Sequence, residues 1–255
     1  MPQRRNVFSN GNHGWNVSLG NVVVLTGAGI SAESGLRTFR DNDGLWEEHR
    51  VEDVATPHAW ARDPGLVWRF YQERRRQLGS VVPNPAHYAL VDLARISEGF
   101  TLVTQNVDDL HERAGSKGAI HMHGQLRMLR CEGSGISEER MGADDLTDGF
   151  AECRCCEVGS RMRPDIVWFY EQPMHMEEIY RAIGECSVFI VVGSSGHVYP
   201  AADLVTIARR RGARTVLVNL EEPMNVGEFD EVHLGPAGDV LPGLVLDWSR
   251  HGDHK

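Results

Sequence analysis

The 255-residue chain has no apolar run near the roughly 20 residues that span a bilayer. The longest candidates, VVVLTGAGI (22–30) and SVFIVVG (187–193), are broken by Gly, Thr or Ser, which excludes a membrane-spanning helix. Its first 20 residues carry two arginines without an apolar stretch behind them, so they do not read as a secretory signal and are taken as a loose leader. Basic excess is missing too. Lys and Arg number 26 against 36 Asp and Glu, and the net charge of −10 opposes a phosphate-coating, nucleic-acid-binding surface. An even cysteine set is also lacking. There are five, four of them within 131–156, which suits a reduced cytoplasmic metal site better than a disulfide framework.

What is present is enough apolar sequence, 41%, for a substantial core. NVVVLT (21–26) is an unbroken apolar run ending at glycine, as expected of a parallel strand covered on both faces. FTLVT (100–104), DIVWF (165–169), SVFIVVG (187–193) and TVLVN (215–219) repeat the type. Between them lie helical patterns: Asn84-Pro85 offers a cap and first-turn proline for AHYALVDLARI, and MEEIYRAIGE and AADLVTIARRRG have helical spacing. Alternating strands and helices predict an α/β fold, a Rossmann-like doubly wound parallel sheet with its cleft at the strands' carboxyl ends. Segments 21–39, 84–126 and 164–248 are assigned to that domain. The intervening 40–83, charged, aromatic and helical, and 127–163, with the cysteines, are assigned to a smaller helical and zinc-binding domain.

Gly27-x-Gly29-x-x-Ala32 follows the first strand and gives a backbone room beside a pyrophosphate, with a helix beginning near Ser31 to aim its amides at the charge. A tight strand-to-helix turn without a ligand is the plainer reading. A dehydrogenase would also want an acidic residue at the end of the second strand, and Glu47 has the distance but not that setting.

GAGISAESGLRTFR, TQNVDDLHERAG, HMHG, VVGSSGHVYPAA and VNLE occur in this order at strand ends, and together they resemble the sirtuin family from about Asn21 to Leu246. TFRDNDGLWEEHRVEDVATP and FYQERRRQ are most similar to the bacterial CobB-type class III protein deacylases. The resemblance implies that NAD is a co-substrate: its bond to nicotinamide is broken and the acyl group of a modified lysine passes to ADP-ribose. An NAD-linked dehydrogenase would explain the glycine loop but neither HMHG nor the cysteines. A non-catalytic NAD-sensing scaffold is the remaining alternative.

His121 and His123, two apart, would share a face of an extended segment with Met122 pointing away, and could be structural or half of a metal pair. The resemblance selects His123 as general base for a ribose hydroxyl, with Asn106 and Asp108 lining the nicotinamide and ribose pockets. An Asx-type turn with a capping carboxylate is the alternative for this stretch and suits Asp109 better than Asp108. By resemblance the NAD site takes Gly27, Ala28, Gly29, Ser31, Ala32, Glu33, Thr38, Phe39, Arg40, Trp46, Gln105, Asn106, Val107 and Asp108. Its adenosine half takes Gly193, Ser194, Ser195, Asn219, Leu220, Glu221 and Ala237.

His197, Val198 and Tyr199 resemble the segment beside which an acyl-lysine peptide adds as a strand. Tyr71 and Arg74, three apart on a helix, are similar to the pair in desuccinylating sirtuins, where Arg can hold an acidic acyl group; Ala55 would leave room for it. The competing view of this helix is a solvated basic face continuing into RRRQ. Acetyl-, succinyl- and malonyl-lysine proteins are therefore the expected substrates.

Cys131 and the later Cys153-x-Cys155-Cys156 have spacing suited to two halves of a structural zinc site. Ser134 stands where a second thiol of the first pair would fall. Cys131, Cys153 and Cys156 are the expected ligands, Cys155 a spare or substitute, and Cys186 plain core. One departure from the family concerns Phe169-Tyr170-Glu171, where Phe-Gly-Glu is usual.

Overall fold

The computed structural model describes residues 19–36, 45–46, 49–156 and 159–252, with backbone alone at 45–46 and 251–252. Thr38, Phe39, Arg40, the Trp46 side chain and most of the leader lie outside the described residues. In chain order the elements begin β1 (Asn21–Thr26), α1 (Gly29–Ala32), β2 (Leu45–Trp46), β3 (His49–Arg50), α2 (Val51–Val54), α3 (Pro57–Arg62) and α4 (Pro64–Gln77). Next come α5 (Pro85–Ile96), β4 (Gly99–Thr104), α6 (Leu110–Ala114), β5 (Ile120–His121), β6 (Gly124–Cys131), β7 (Ser137–Glu139) and β8 (Met162–Ile166). The chain then forms α7 (Met176–Glu185), β9 (Val188–Val192), α8 (Leu204–Arg210), β10 (Arg214–Asn219), β11 (Glu231–Leu234) and α9 (Ala237–Gly252).

Six parallel strands form the main sheet in the order β11-β10-β9-β1-β4-β5. The apolar runs explain it, because successive side chains point to opposite faces and both faces are covered. Val22, Val24, Leu102, Ile190 and Val216 pack with Leu90 and Leu93 of α5 and Leu241 and Val245 of α9. Val23, Leu25, Val103, Phe189 and Leu217 pack with Ile179 and Ile183 of α7 and Leu204 and Ala208 of α8. Each such burial is worth about 1.5–3 kcal/mol. β1 has β4 on one side and β9 on the other, so strand order reverses there and the loops after β1 and β9 part around a crevice.

A second, antiparallel sheet, β7-β6-β8, packs with α2–α4 around Trp60, Trp68, Phe70, Tyr71, Leu129 and Trp168. Here one expectation fails. DIVWF was expected in the parallel sheet, but β8 ends at Ile166 and pairs antiparallel with β6. An apolar run reports burial on both faces, not which sheet supplies the neighbours. Helix α9 escapes the sequence reading because Gly238, Pro242 and Gly243 interrupt its pattern. The AADLVTIARRRG helix starts as a 3₁₀ turn at Ala201–Asp203. Among the described residues no helix is long and apolar enough to cross a membrane.

α5 starts as its sequence predicts. The Asn84 side chain accepts from Ala86 N at 3.0 Å, while His87 Nδ1 accepts from Asn84 N at 3.3 Å. Asn84 Nδ2 also donates to Ile30 O at 2.7 Å, fastening this cap to the loop after β1. His87 and His111 are fully buried with ring centroids 5.0 Å apart. Burial lowers them from the ordinary 6.5 to about 4 and about 3. The fold therefore holds both neutral, whereas the unfolded chain takes up their protons below pH 6.5, so stability is full above that pH and declines toward pH 3. The urea midpoint should fall steadily from pH 6.5 to about 4, and an unchanged midpoint would contradict this.

Candidate active site and cysteine cluster

At the crevice the loops after β1 and β9 meet backbone to backbone. Gly29 N donates to Gly193 O at 2.8 Å and Gly27 N to Val192 O at 2.9 Å. A Cβ on Gly29 would lie 2.7 Å from Gly193 Cα, and one on Gly193, whose φ is +64°, would lie 2.3 Å from Ile30 N. These glycines are thus required by each other's approach. α1 starts at Gly29 rather than near Ser31 and lasts one turn, and the Ile30 and Ser31 amides go to Gly27 O and Ala28 O.

The approach carries Ser31 into a buried polar cluster. Its hydroxyl donates to Asp108 Oδ2 and accepts from Asn106 Nδ2, both at 3.0 Å. Asp108 Oδ1 accepts from Leu110 N at 3.1 Å, so the turn-capping carboxylate is Asp108, while Asp109 pairs with Arg127 at 2.9 Å. Burial pushes the Asp108 carboxyl up, opposed by the Leu110 and Ser31 hydrogen bonds. Asn106 N donates to Thr104 Oγ1 at 3.0 Å, which also accepts from Thr26 Oγ1 at 2.8 Å. The sequence reading missed these two threonines, although each ends a strand.

The two histidines reach adjacent carbonyls of the loop after β4, while Met122 between them packs in the core. His121 is buried, 3.1 Å from Asn106 O and 2.8 Å from Glu112 Oε1. The chain turns at Met122, and His123 is half-buried with Nδ1 3.1 Å from Gln105 O. A carbonyl can only accept, so Nδ1 carries the proton and Nε2 presents a lone pair. Burial holds His123 below the ordinary 6.5, outweighing the Gln105 bond that raises it. Gln105 Nε2 donates to Ser194 Oγ at 2.8 Å, and Asn219 Nδ2 to Ser194 O at 3.2 Å and Glu221 O at 2.8 Å. His123, Gln105, Ser194 and Asn219 thus form one linked series.

Other expected residues stand apart from it. Glu33 accepts from Gly238 N at 2.7 Å at the start of α9, next to buried Ala237. Leu220 and Glu221 are exposed. Ser195 Oγ accepts from His197 N at 3.3 Å, and His197, Val198 and Tyr199 are exposed or half-buried.

Tyr71 and Arg74 are both buried, at 0% and 9% exposure, which argues against a solvated face for this part of α4. Arg75 is buried as well and donates to Arg140 O. Arg74 donates to Phe70 O at 2.7 Å and lies over the Phe70 ring at 3.8 Å. Tyr71 Oη accepts from Trp168 Nε1 at 3.0 Å, and burial pushes the phenol up. Three consecutive residues bind these parts together: Val167 N donates to His123 O, Trp168 to Tyr71, and Phe169 N to Ala55 O at 3.0 Å.

On the small sheet the sulfurs of Cys131, Cys153, Cys155 and Cys156 all lie within 4.8 Å of one another. Cys131 and Cys156 are 3.7 Å apart and Cys155 and Cys156 3.9 Å. A zinc–sulfur bond of about 2.3 Å in a tetrahedron gives edges of about 3.8 Å, so the set fits one zinc ion. Backbone donors complete it: Ser134 N reaches Cys131 Sγ at 3.4 Å and Ser160 N reaches Cys153 Sγ at 3.2 Å. Cys155 is thus a fourth ligand candidate, not a spare. The sequence signal was available, since adjacent Cys155 and Cys156 can both turn inward at a bend.

A doubly wound parallel sheet with its polar cluster at the strand-order reversal, plus a four-thiol site on an appended sheet, defines a nucleotide-binding α/β protein with a structural metal module. The sequence pattern of the Sir2 family matches residues 27–200, and the chain belongs to that family. It is 54% identical over 241 residues to an NAD-dependent protein deacylase of Yersinia pestis, covering 91% of this chain and 86% of the relative. It is 55% identical over 228 residues to one of Salmonella typhimurium, covering 88% and 82%. A Sir2 homolog–NAD complex superimposes with TM-score 0.82 at 41% identity, covering 90% of this chain and 89% of the other. A Sir2 complex with a deacetylated peptide and O-acetyl ADP ribose does so with TM-score 0.77 at 29% identity, covering 89% and 93%.

The purified chain should carry about one zinc per molecule by elemental analysis. Cys155→Ser should weaken retention against a chelator by at least the roughly tenfold that losing even an outer-sphere partner costs. Retention equal to the unaltered protein would remove Cys155 from the ligand set.

Proposed function

We propose that the chain is an NAD-dependent protein lysine deacylase that removes acetyl and, through Tyr71 and Arg74, succinyl and malonyl groups from protein lysines. The observation that carries it is His123, neutral by burial and fixed by Gln105 with its outer nitrogen available. The donor set suits NAD, because the amides of Asn106 and Gln105 can both give and take hydrogen bonds from a carboxamide-bearing ligand. Bound there, NAD supplies the ribose that receives the acyl group as nicotinamide departs.

The chain's own work follows from its groups. His123 Nε2 takes a proton from a ribose hydroxyl, which is general-base chemistry. Asn106 and Asp108, locked to Ser31, line the nicotinamide and ribose pockets. Ser194 and Asn219 hold the adenosine half at the crevice. Arg74 meets an acidic acyl group with the Tyr71 hydroxyl beside it and Ala55 leaving space. The main parallel sheet with α5 and α7–α9 forms the NAD-binding part, and α2–α4 with β6–β8, including 124–126 and 164–166, the zinc-bearing part. A four-cysteine metal site, rather than a disulfide framework, accords with a reducing cytoplasm.

The test follows nicotinamide release and acyl transfer by mass spectrometry with matched acetyl- and succinyl-lysine peptides; NADH formation instead would indicate a dehydrogenase. His123→Ala should lower kcat/KM by about a hundredfold or more. In the unaltered protein the acid limb of kcat/KM should have its midpoint below pH 6.5, since activity is lost as His123 takes up a proton. Arg74→Met should depress succinyl removal about ten- to hundredfold, the worth of a charge-assisted pair, and acetyl removal far less. Equal losses would refute the acid-recognition role.

A further inference from the structure

His121 is buried with both ring nitrogens engaged: Nδ1 lies 3.1 Å from Asn106 O and Nε2 2.8 Å from Glu112 Oε1. A carbonyl only accepts. Burial raises the Glu112 carboxyl, but the His121 hydrogen bond and the charges of His121 and Arg127 outweigh it and hold the group below the usual range. Glu112 is therefore a carboxylate and accepts too. Each nitrogen of His121 must then donate, which makes the ring an imidazolium. His111 and His123, by contrast, are held neutral by burial.

The charge stands behind the segment assigned above to the nicotinamide and ribose pockets. Asn106 is held at three points: its N donates to Thr104 Oγ1 at 3.0 Å, its O accepts from His121, and its Nδ2 donates to Ser31 Oγ at 3.0 Å. Burial raises the carboxyl of Asp108, two residues on, and the His121 charge is one of the groups that draw it back. Asp108 Oδ1 also accepts from Leu110 N at the start of α6, the helix that carries Glu112, so loop and helix are tied twice. Resting on the deacylase reading, we infer that His121 is a positioning residue in its imidazolium form: with Glu112 it clamps the Asn106 carbonyl and sets a positive charge beside Asp108, so that the nicotinamide and ribose pockets are formed before NAD arrives. Two histidines separated by one residue thus take opposite charge states. His123 moves a proton, and His121 keeps both of its own.

The experiment uses Glu112→Gln, an exposed and nearly isosteric change that should fold. Its amide can donate to His121 Nε2, leaving the ring neutral with the Asn106 bond intact. Nitrogen-15 NMR of the histidine-labelled, unliganded protein at pH 7 should show one ring with both nitrogens protonated, assigned by its loss in His121→Asn and neutral in Glu112→Gln. By calorimetry without peptide, Glu112→Gln should bind NAD about tenfold more weakly, the lower end of what a charge-assisted hydrogen bond is worth. AMP, which has only the adenosine half, should bind as to the unaltered protein. A neutral His121 ring in the unaltered protein, an unchanged NAD affinity in Glu112→Gln, or equal losses for NAD and AMP overturns the inference while leaving the deacylase reading intact. Neither NAD binding nor nicotinamide release by the unaltered protein overturns that reading and this inference with it.

Discussion

The site depends on the close approach of two loops across the strand-order reversal. Parallel strands β1 and β9 deliver Gly27 and Gly193 side by side, and only residues without a Cβ allow Gly29 N to reach Gly193 O. That contact sets where everything after it falls. Ser31 follows on one side and meets Asn106 and Asp108 from the loop after β4; Ser194 follows on the other and meets Gln105. The motif's glycines act first as packing elements, and the room they leave for a nucleotide is a consequence of that packing.

Because the cluster is buried, it tolerates no partial assembly. Ser31, Asn106 and Asp108 are each below a tenth exposed, and each polar contact replaces one that water would have made. Removing one partner would strand the others at about 1–3 kcal/mol per group. Asp108 shows the balance directly, with burial raising its carboxyl and the Leu110 and Ser31 bonds drawing it back. The same logic separates two histidines only two residues apart. His121 is held between Asn106 O and Glu112, whereas His123, after the turn, keeps one ring nitrogen engaged and the other available.

Most of the parallel sheet was legible in the sequence, because an unbroken run such as NVVVLT has few alternatives once both faces are covered. DIVWF misled because an apolar run does not name its sheet: Asp165 and Ile166 end β8 of the small sheet, and Trp168 packs in the small core with α4. Strand β11 was too short and polar to read, and α9 hid behind its glycines and Pro242. At the site, Asn106, Asp108 and His123 were legible as motif members. Thr26, Thr104 and Trp168 were not, because their part depends on neighbours 78 to 97 residues away in sequence. Cys155 was undervalued because spacing rules count pairs, while a bend lets adjacent thiols converge. Arg75 looked like surface by composition, yet helix periodicity turns it inward beside Tyr71.

The cysteine cluster and the histidine are connected by geometry rather than proximity. His123 immediately precedes β6 and Cys131 ends it, so at about 3.3 Å per residue the two lie about 26 Å apart along that strand. β8 runs back alongside, pairing Met162 with Cys131 at one end and Ile166 with Gly124 at the other, and Val167 then bonds His123 O. Gly124 makes this possible: its φ is +81°, and a Cβ there would sit 2.0 Å from Asp165 O. Four thiols gathered at one end therefore fix the pairing of two strands whose opposite ends carry His123 and residues 167–169, which bond to His123 O, Tyr71 and Ala55 O. A metal there supports the site by holding strand register, without needing to touch anything that reacts.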